Sequence, residues 1–179
     1  GVPMGSELQA PVASPEFLVS ANKDAGTPTS PGTDLQRLQI IKGWVAADGS
    51  TREQVYDIAG TADTGGGVNE NCAVTGSGYG KLCTVWRDPD YSPDEPAFYY
   101  VRVLENPSCR WSTRQCMAAG VNPFSDQCEE RAAAITEQVP GAIGDVYGRC
   151  CLDPAKEPFY SPVIQERAWT SPIWINPNT

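Results

Sequence analysis

The sequence predicts a mainly β chain: an antiparallel, sandwich-like domain carrying a Cys-rich, partly helical insertion. Three observations point there. Short apolar runs rich in aromatic and β-branched residues recur along the chain, each bounded by turn residues. The 17 Gly and 16 Pro are spread between those runs rather than gathered in one tract. All seven Cys fall in the second two-thirds, in loop-like sequence around two helical patterns.

Residues 1–15 hold three Pro and two Gly and are expected to form a leading extended segment, with the β domain running over 16–179. EFLVSA (16–21) is a candidate strand, followed by a Gly-, Pro- and Thr-rich loop. LQRLQIIKGWV (35–45) alternates, and polar residues on both of its faces predict a strand not buried on both sides. Asp48-Gly49 is a turn signal that makes residues 51–59 its hairpin partner. The Gly-rich stretch 60–80 is expected to be an ordered surface loop. It has no GK[ST] motif, which a phosphate-binding loop would need. Residues 82–87 and AFYYVRVLE (97–105) are further strands, and AWTSPIWI (168–175) is the last, near an edge or bulge because of Pro172.

Two helices are expected within an insert of about 112–151. Ser112 and Gln115 have the spacing of a capping box, with Gly120 as the stop. Asp126 and Glu129 would open the second helix, which stops at Pro140-Gly141.

The net charge of −9 and the absence of any Lys/Arg cluster argue against nucleic acid as a partner. A transmembrane helix needs about 20 consecutive apolar residues, and no such run exists, so membrane insertion is not expected. Cys72, Cys83, Cys109, Cys116, Cys128, Cys150 and Cys151 contain no CxxC, and the chain has no His to complete a mixed zinc site. Disulfides in an oxidising compartment are the expectation, with one thiol left over, and with Cys150 and Cys151 bonded to different partners. The chain should therefore be secreted, periplasmic or on the cell surface. Extracellular-type Cys usage without a signal peptide is what a piece of a longer precursor would show.

The lack of His removes Ser-His-Asp and Cys-His chemistry. RDPDYSPDEP (87–96) leaves carboxylates at Asp88, Asp90, Asp94 and Glu95, and calcium at Asp88, Asp90 and Asp94 is left open, though three Pro suit a solvated connection better. No catalytic, cofactor-binding or transition-metal residue is assigned. Arg102, Glu105, Arg110, Glu166 and Arg167 form a candidate structural charge cluster beside the best strands. Trp44, Trp86, Trp111, Trp169 and Trp174 are assigned to core and interface packing, with a sugar-stacking platform as the alternative.

GVPMGSEL (1–8), LQRLQIIKGWV (35–45), VWRDPDYSP (85–93), AFYYVRVLENPSCRWSTRQC (97–116) and IQERAWTSPIW (164–174) resemble the carboxy-terminal region of a large bacterial family, domain of unknown function 3604. That family is similar to metal-dependent phosphoesterases of the polymerase and histidinol phosphatase type. The resemblance implies that divalent metals belong to an upstream, His-rich part, and no ligand carries over to this chain. It implies a non-catalytic β domain of a larger secreted metallohydrolase, with scaffold or interface roles. Its partner would be the N-terminal portion of the same precursor or another subunit. A glycan- or protein-binding module, or a processed subunit of a cell-surface assembly, are the alternatives.

Overall fold

A computed structural model of the chain describes residues 1–63, 66–141 and 143–177. Residues 64 and 65 of the Gly-rich stretch, residue 142 of the insert, and residues 178 and 179 lie outside these. The chain divides into two compact units, one made of residues 1–65, 77–106 and 166–179, the other of 66–76 and 107–165.

The first unit is two-layered and almost entirely β. Its longer strands are β1 (Glu7–Gln9), β2 (Glu16–Asn22), β3 (Leu35–Val45), β4 (Thr51–Gly60), β5 (Lys81–Arg87), β6 (Ala97–Glu105), β7 (Arg167–Trp169) and β8 (Ile173–Asn176), and a two-residue ladder pairs Gly26–Thr27 with Ser30–Pro31. Six of them form one sheet in the order β1-β8-β6-β3-β4, with β7 pairing β6 beyond β8. All pairings are antiparallel except β1 with β8. Pro172 separates β7 from β8 and donates no ladder hydrogen bond, which splits the expected last strand in two. β2 and β5 make an antiparallel ribbon that forms the second layer. Its inward side chains, Phe17, Val19 and Leu82, share one core with Leu38, Ile40, Tyr99 and Ile175 of the larger sheet. Phe17 lies 4.8 Å from Tyr99, centroid to centroid.

The β3–β4 hairpin closes where Asp48-Gly49 was expected to turn. Gly49 has φ +80, and its N–H donates to the Ala46 carbonyl at 2.8 Å. Two expectations need correction here. β3 is buried on both sides for most of its length, because its polar residues meet polar partners inside the protein rather than water. The leading segment is also part of the sheet: Glu7–Gln9 pairs in parallel with β8, and Ala10 is buried. Three residues of strand are too short to leave a periodicity that a sequence could display.

The second unit contains α1 (Trp111–Ala118), α2 (Cys128–Thr136), a short 3-10 turn (Gly148–Cys151) and two two-residue ladders. Its small core is Val121, Cys128, Ala132 and Cys150. Three disulfides hold it: Cys72–Cys109, Cys116–Cys150 and Cys128–Cys151. The adjacent Cys150 and Cys151 do bond to different partners. Cys83, on β5, is exposed and unbridged. Every bridge falls inside this unit.

The helix starts also differ from expectation. α1 begins at Trp111 with Arg110 at the N-cap and no side-chain cap, so the Ser112–Gln115 box does not form. Arg110 N–H instead donates to the Pro162 carbonyl at 2.9 Å, and Thr113 Oγ1 donates to the same oxygen at 2.8 Å. Gly120 does end the first helical stretch, with φ +85. α2 opens at Cys128 rather than Asp126, and its first turn carries Glu129 and Glu130, which suit the positive end of the helix dipole. The Gly-rich stretch supplies a tight ladder, Gly67–Val68 against Val74–Thr75, with Asn69 Oδ1 accepting the N–H groups of Asn71 and Ala73 at 3.0 Å.

Candidate functional site

Two features of the first unit bring chemistry-bearing residues together. One is buried beneath the ribbon. The other lies on the opposite face of the six-stranded sheet.

The buried one joins three strands. Lys42 on β3 and Tyr99 on β6 are cross-strand partners, so their side chains leave the sheet on the same face. Asp88 follows β5 directly. Its Oδ2 lies 2.5 Å from Lys42 Nζ and accepts the Tyr99 hydroxyl at 2.7 Å. Its Oδ1 accepts the Asp90 N–H at 2.9 Å. Lys42 Nζ also donates to the Asp90 carbonyl at 2.7 Å and stands 4.9 Å above the Trp44 ring. The two side chains are 3% and 0% exposed. Around them, Tyr56 donates to Asp90 Oδ2 at 3.1 Å, and Tyr91 donates to the Pro11 carbonyl at 2.8 Å. Burial pushes the Tyr56 hydroxyl up to about 12, helped by the charge of Asp88 and the hydrogen bond to Asp90. Burial and the Asp88 hydrogen bond drive Tyr99 upward as well. Both phenols thus stay protonated donors at any physiological pH.

This arrangement is a clamp. It pins the loop after β5 onto the centre of the sheet and engages both oxygens of Asp88. A calcium ion takes 6–8 oxygen ligands at about 2.3–2.6 Å, and here an ammonium already fills that role. The Asp90 carboxylate is engaged by Tyr56, and Asp94 is exposed. Among the described residues, no group of three or more His, Cys, Asp or Glu is arranged to hold a metal ion. Sequence reasoning found Asp88 but missed Lys42. The available signal was a lone Lys in the apolar second half of the strand, IIKGWV (40–45).

The opposite face is different in character. Phe98, Tyr100 and Arg102 alternate along β6 on this side, with Trp174 opposite Phe98 and Trp169 opposite Arg102. Phe98 and Tyr100 are nearly parallel at 6.4 Å, and Trp174 leans on Phe98 at 5.2 Å and 49°. Gly43 makes room for this row: a Cβ there would sit 2.3 Å from Phe98 Cζ. Beside it, a shallow groove of about 440 Å³ runs between Trp174, Phe98 and Glu53. Trp169 is 58% exposed and Trp174 46%. A polar chain crosses the sheet next to the aromatics. Arg102 Nε donates to Gln39 Oε1 at 2.8 Å, Gln39 Nε2 donates to Asp57 Oδ1 at 2.7 Å, and Arg37 Nε pairs with that carboxylate at 3.2 Å.

The proposed charge cluster is therefore used piecewise. Arg102 serves this polar chain. Glu105 N–H donates to the Glu166 carbonyl at 3.0 Å, and burial followed by the Glu166 charge raises the Glu105 carboxyl. Arg167 is exposed on β7. Arg110, in the second unit, donates through Nε to the Ser161 carbonyl at 3.1 Å. The tryptophans also divide: Trp44 and Trp86 pack against the core, Trp169 and Trp174 lie on the open face, and Trp111 is exposed on α1.

Fold and covalent framework define a mainly β, disulfide-bonded domain with a Cys-rich, partly helical insertion. Three disulfides suit an extracellular or periplasmic setting, and no described helix is long and apolar enough to cross a membrane. The chain belongs to the family described as "Protein of unknown function (DUF3604)", whose family model matches residues 1–139. The resembling segment at 164–174 lies beyond that match. No curated protein and no solved structure matches the chain.

Proposed function

We propose that this chain is a non-catalytic C-terminal β domain of a larger secreted, phosphoesterase-like metallohydrolase. In this reading it works as an interface, either for the N-terminal portion of the same precursor or for another subunit. The observation that carries it is the row of Trp169, Tyr100, Phe98 and Trp174 on one face of the six-stranded sheet, its two tryptophans exposed and Phe98 and Tyr100 half-buried. Large aromatics on an open face contribute little to folding and are the residues that dominate association. The 49° tilt between Phe98 and Trp174 favours an irregular polypeptide contact over the flat platform a sugar ring needs.

The test compares hydrogen exchange in the isolated chain and in the longer encoded protein that contains it. Segments 97–105 and 167–176 should exchange more slowly in the longer protein. A Trp169→Ser/Trp174→Ser variant should lose that difference while keeping its far-UV spectrum. Equal exchange in both proteins would remove the interface reading.

A further inference from the structure

On the ribbon side of the same sheet, the second layer is incomplete. It has two strands, β2 and β5, against six below. Among the described residues, β2 pairs only with β5, so its other edge presents unpaired backbone N–H and C=O groups. A groove of about 820 Å³ runs along that edge. Phe17, Leu18, Val19 and Ser20 form one wall, and residues 1–4 form the other. No residue of β5 lines it, so it lies on the unpaired side of β2. Its floor is Ile40, Val101, Val103 and Ile173 from the larger sheet.

We infer that this groove receives an extended strand from a partner polypeptide, added to the free edge of β2 as the missing third strand of the layer. Two independent features choose that occupant. A row of alternating backbone donors and acceptors is matched by another extended backbone, and an acyl chain or a sugar offers no such ladder. A floor of aliphatic side chains one layer below matches the period of two with which a strand would point side chains down into it. Charge agrees: among the described residues, Glu16 is the only charged side chain lining the groove, and Arg87 Nε lies 3.0 Å from its carboxylate. The occupant should thus be neutral and apolar at alternate positions. β2 has seven residues, so at about 3.3 Å per residue the added strand would run for about 23 Å. None of Phe98, Trp169 and Trp174 lines the groove, and either proposal can fail without the other.

The probe is a fluorescein-labelled peptide of alternating Val and Thr with a Lys at each end, titrated into the full chain. Binding should saturate and should slow hydrogen exchange at alternate residues of β2. N-methylation of the peptide amides that face β2 should weaken binding by about tenfold or more, since several backbone hydrogen bonds are lost together. Val101→Asp should abolish it in a chain whose spectrum shows it folded. Failure to saturate, equal binding of the N-methylated peptide, or protection at β4 instead of β2 would each overturn the proposal. The N-methyl arm uses the unmutated chain, so it decides the matter even if Val101→Asp does not fold.

Discussion

Removing either member of the Lys42–Asp88 pair should destabilise the first unit sharply, and removing both should cost much less than the sum. At the observed 2.5 Å, and at an effective dielectric of 20, the direct attraction is about 6–7 kcal/mol. Desolvating the two ions takes back several kcal/mol each, so the intact pair is close to neutral in net terms. The asymmetry appears when one partner is deleted. Lys42→Met leaves the Asp88 carboxylate with the Tyr99 hydroxyl and the Asp90 N–H but with no cation. Asp88→Asn leaves an ammonium 3% exposed with no anion beside it, held by neutral groups that include the Asp90 carbonyl and the Trp44 and Tyr99 rings. Each single change should cost about 3–5 kcal/mol.

The double variant Lys42→Met/Asp88→Asn buries no net charge and retains an acceptor for Tyr99. It should recover about 3 kcal/mol relative to additivity, at the upper end for contacting residues. Urea unfolding followed by hydrogen exchange, read on peptides from residues 35–45 and 97–105, isolates the first unit from the disulfide-bonded one. Exchange in residues 88–96 should rise first, because the clamp is what holds that loop. Single variants within about 1 kcal/mol of the parent, or a double variant additive to within about 0.5 kcal/mol, would refute the reading of this pair as a coupled buried clamp.

Mass mapping of the oxidised chain should find bridges at 72–109, 116–150 and 128–151 and a free thiol at Cys83. Deleting the Cys116–Cys150 bridge, which spans 34 residues, should cost the second unit about 3–4 kcal/mol in the loop-entropy account, seen as a lower thermal midpoint; an unchanged midpoint would contradict it. Tyr56 holds its proton to about pH 12 in the folded chain against 10.0 ordinarily, so its contribution is fully present below about pH 10 and is lost as pH rises through about 12. The urea midpoint should fall over that window, and Tyr56→Phe should flatten the fall. Gly43→Ala should push the Phe98 ring aside and cost about 1–3 kcal/mol, with altered near-UV dichroism from Phe98 and Trp174 as the local signature.

Much of the framework was legible because it is written in local pattern. AFYYVRVLE became β6 at the expected residues, and the Asp48-Gly49 turn produced the expected hairpin. What could not be read was whatever depends on residues far apart. Lys42 looked like an outward polar position until Asp88, 46 residues on, came to lie against it. Gln39 looked the same until Arg102 and Asp57 met it from the two neighbouring strands. The capping box failed for a related reason: tertiary bonds from Arg110 and Thr113 to the Pro162 carbonyl fix the start of α1, and they override a local preference worth only about 1 kcal/mol. The insert also reached further than its cysteines suggested, because Val163–Ile164 pairs with Ser108–Cys109 and Asn122 reaches the Glu70 carbonyl at 3.0 Å.

The central strand shows how one sequence serves two faces of different purpose. From Leu38 to Trp44, alternate residues of β3 point toward the ribbon, and there even the charged one is neutralised and sealed. The residues between them point the other way. Gly43 gives up its side chain to a phenylalanine, and Gln39 is spent orienting Arg102 beside exposed tryptophans. A domain selected only for stability has no reason to keep a half-exposed aromatic row over a strand it has otherwise buried so thoroughly, since burial of those rings would contribute about 25 cal/mol per Å². The same reasoning applies across the sheet, where Val101, Val103 and Ile173 floor a groove beside an unpaired strand. Each face stops short of completion where a second polypeptide would finish it. This distribution of unfinished surface is the support for the interface role we propose.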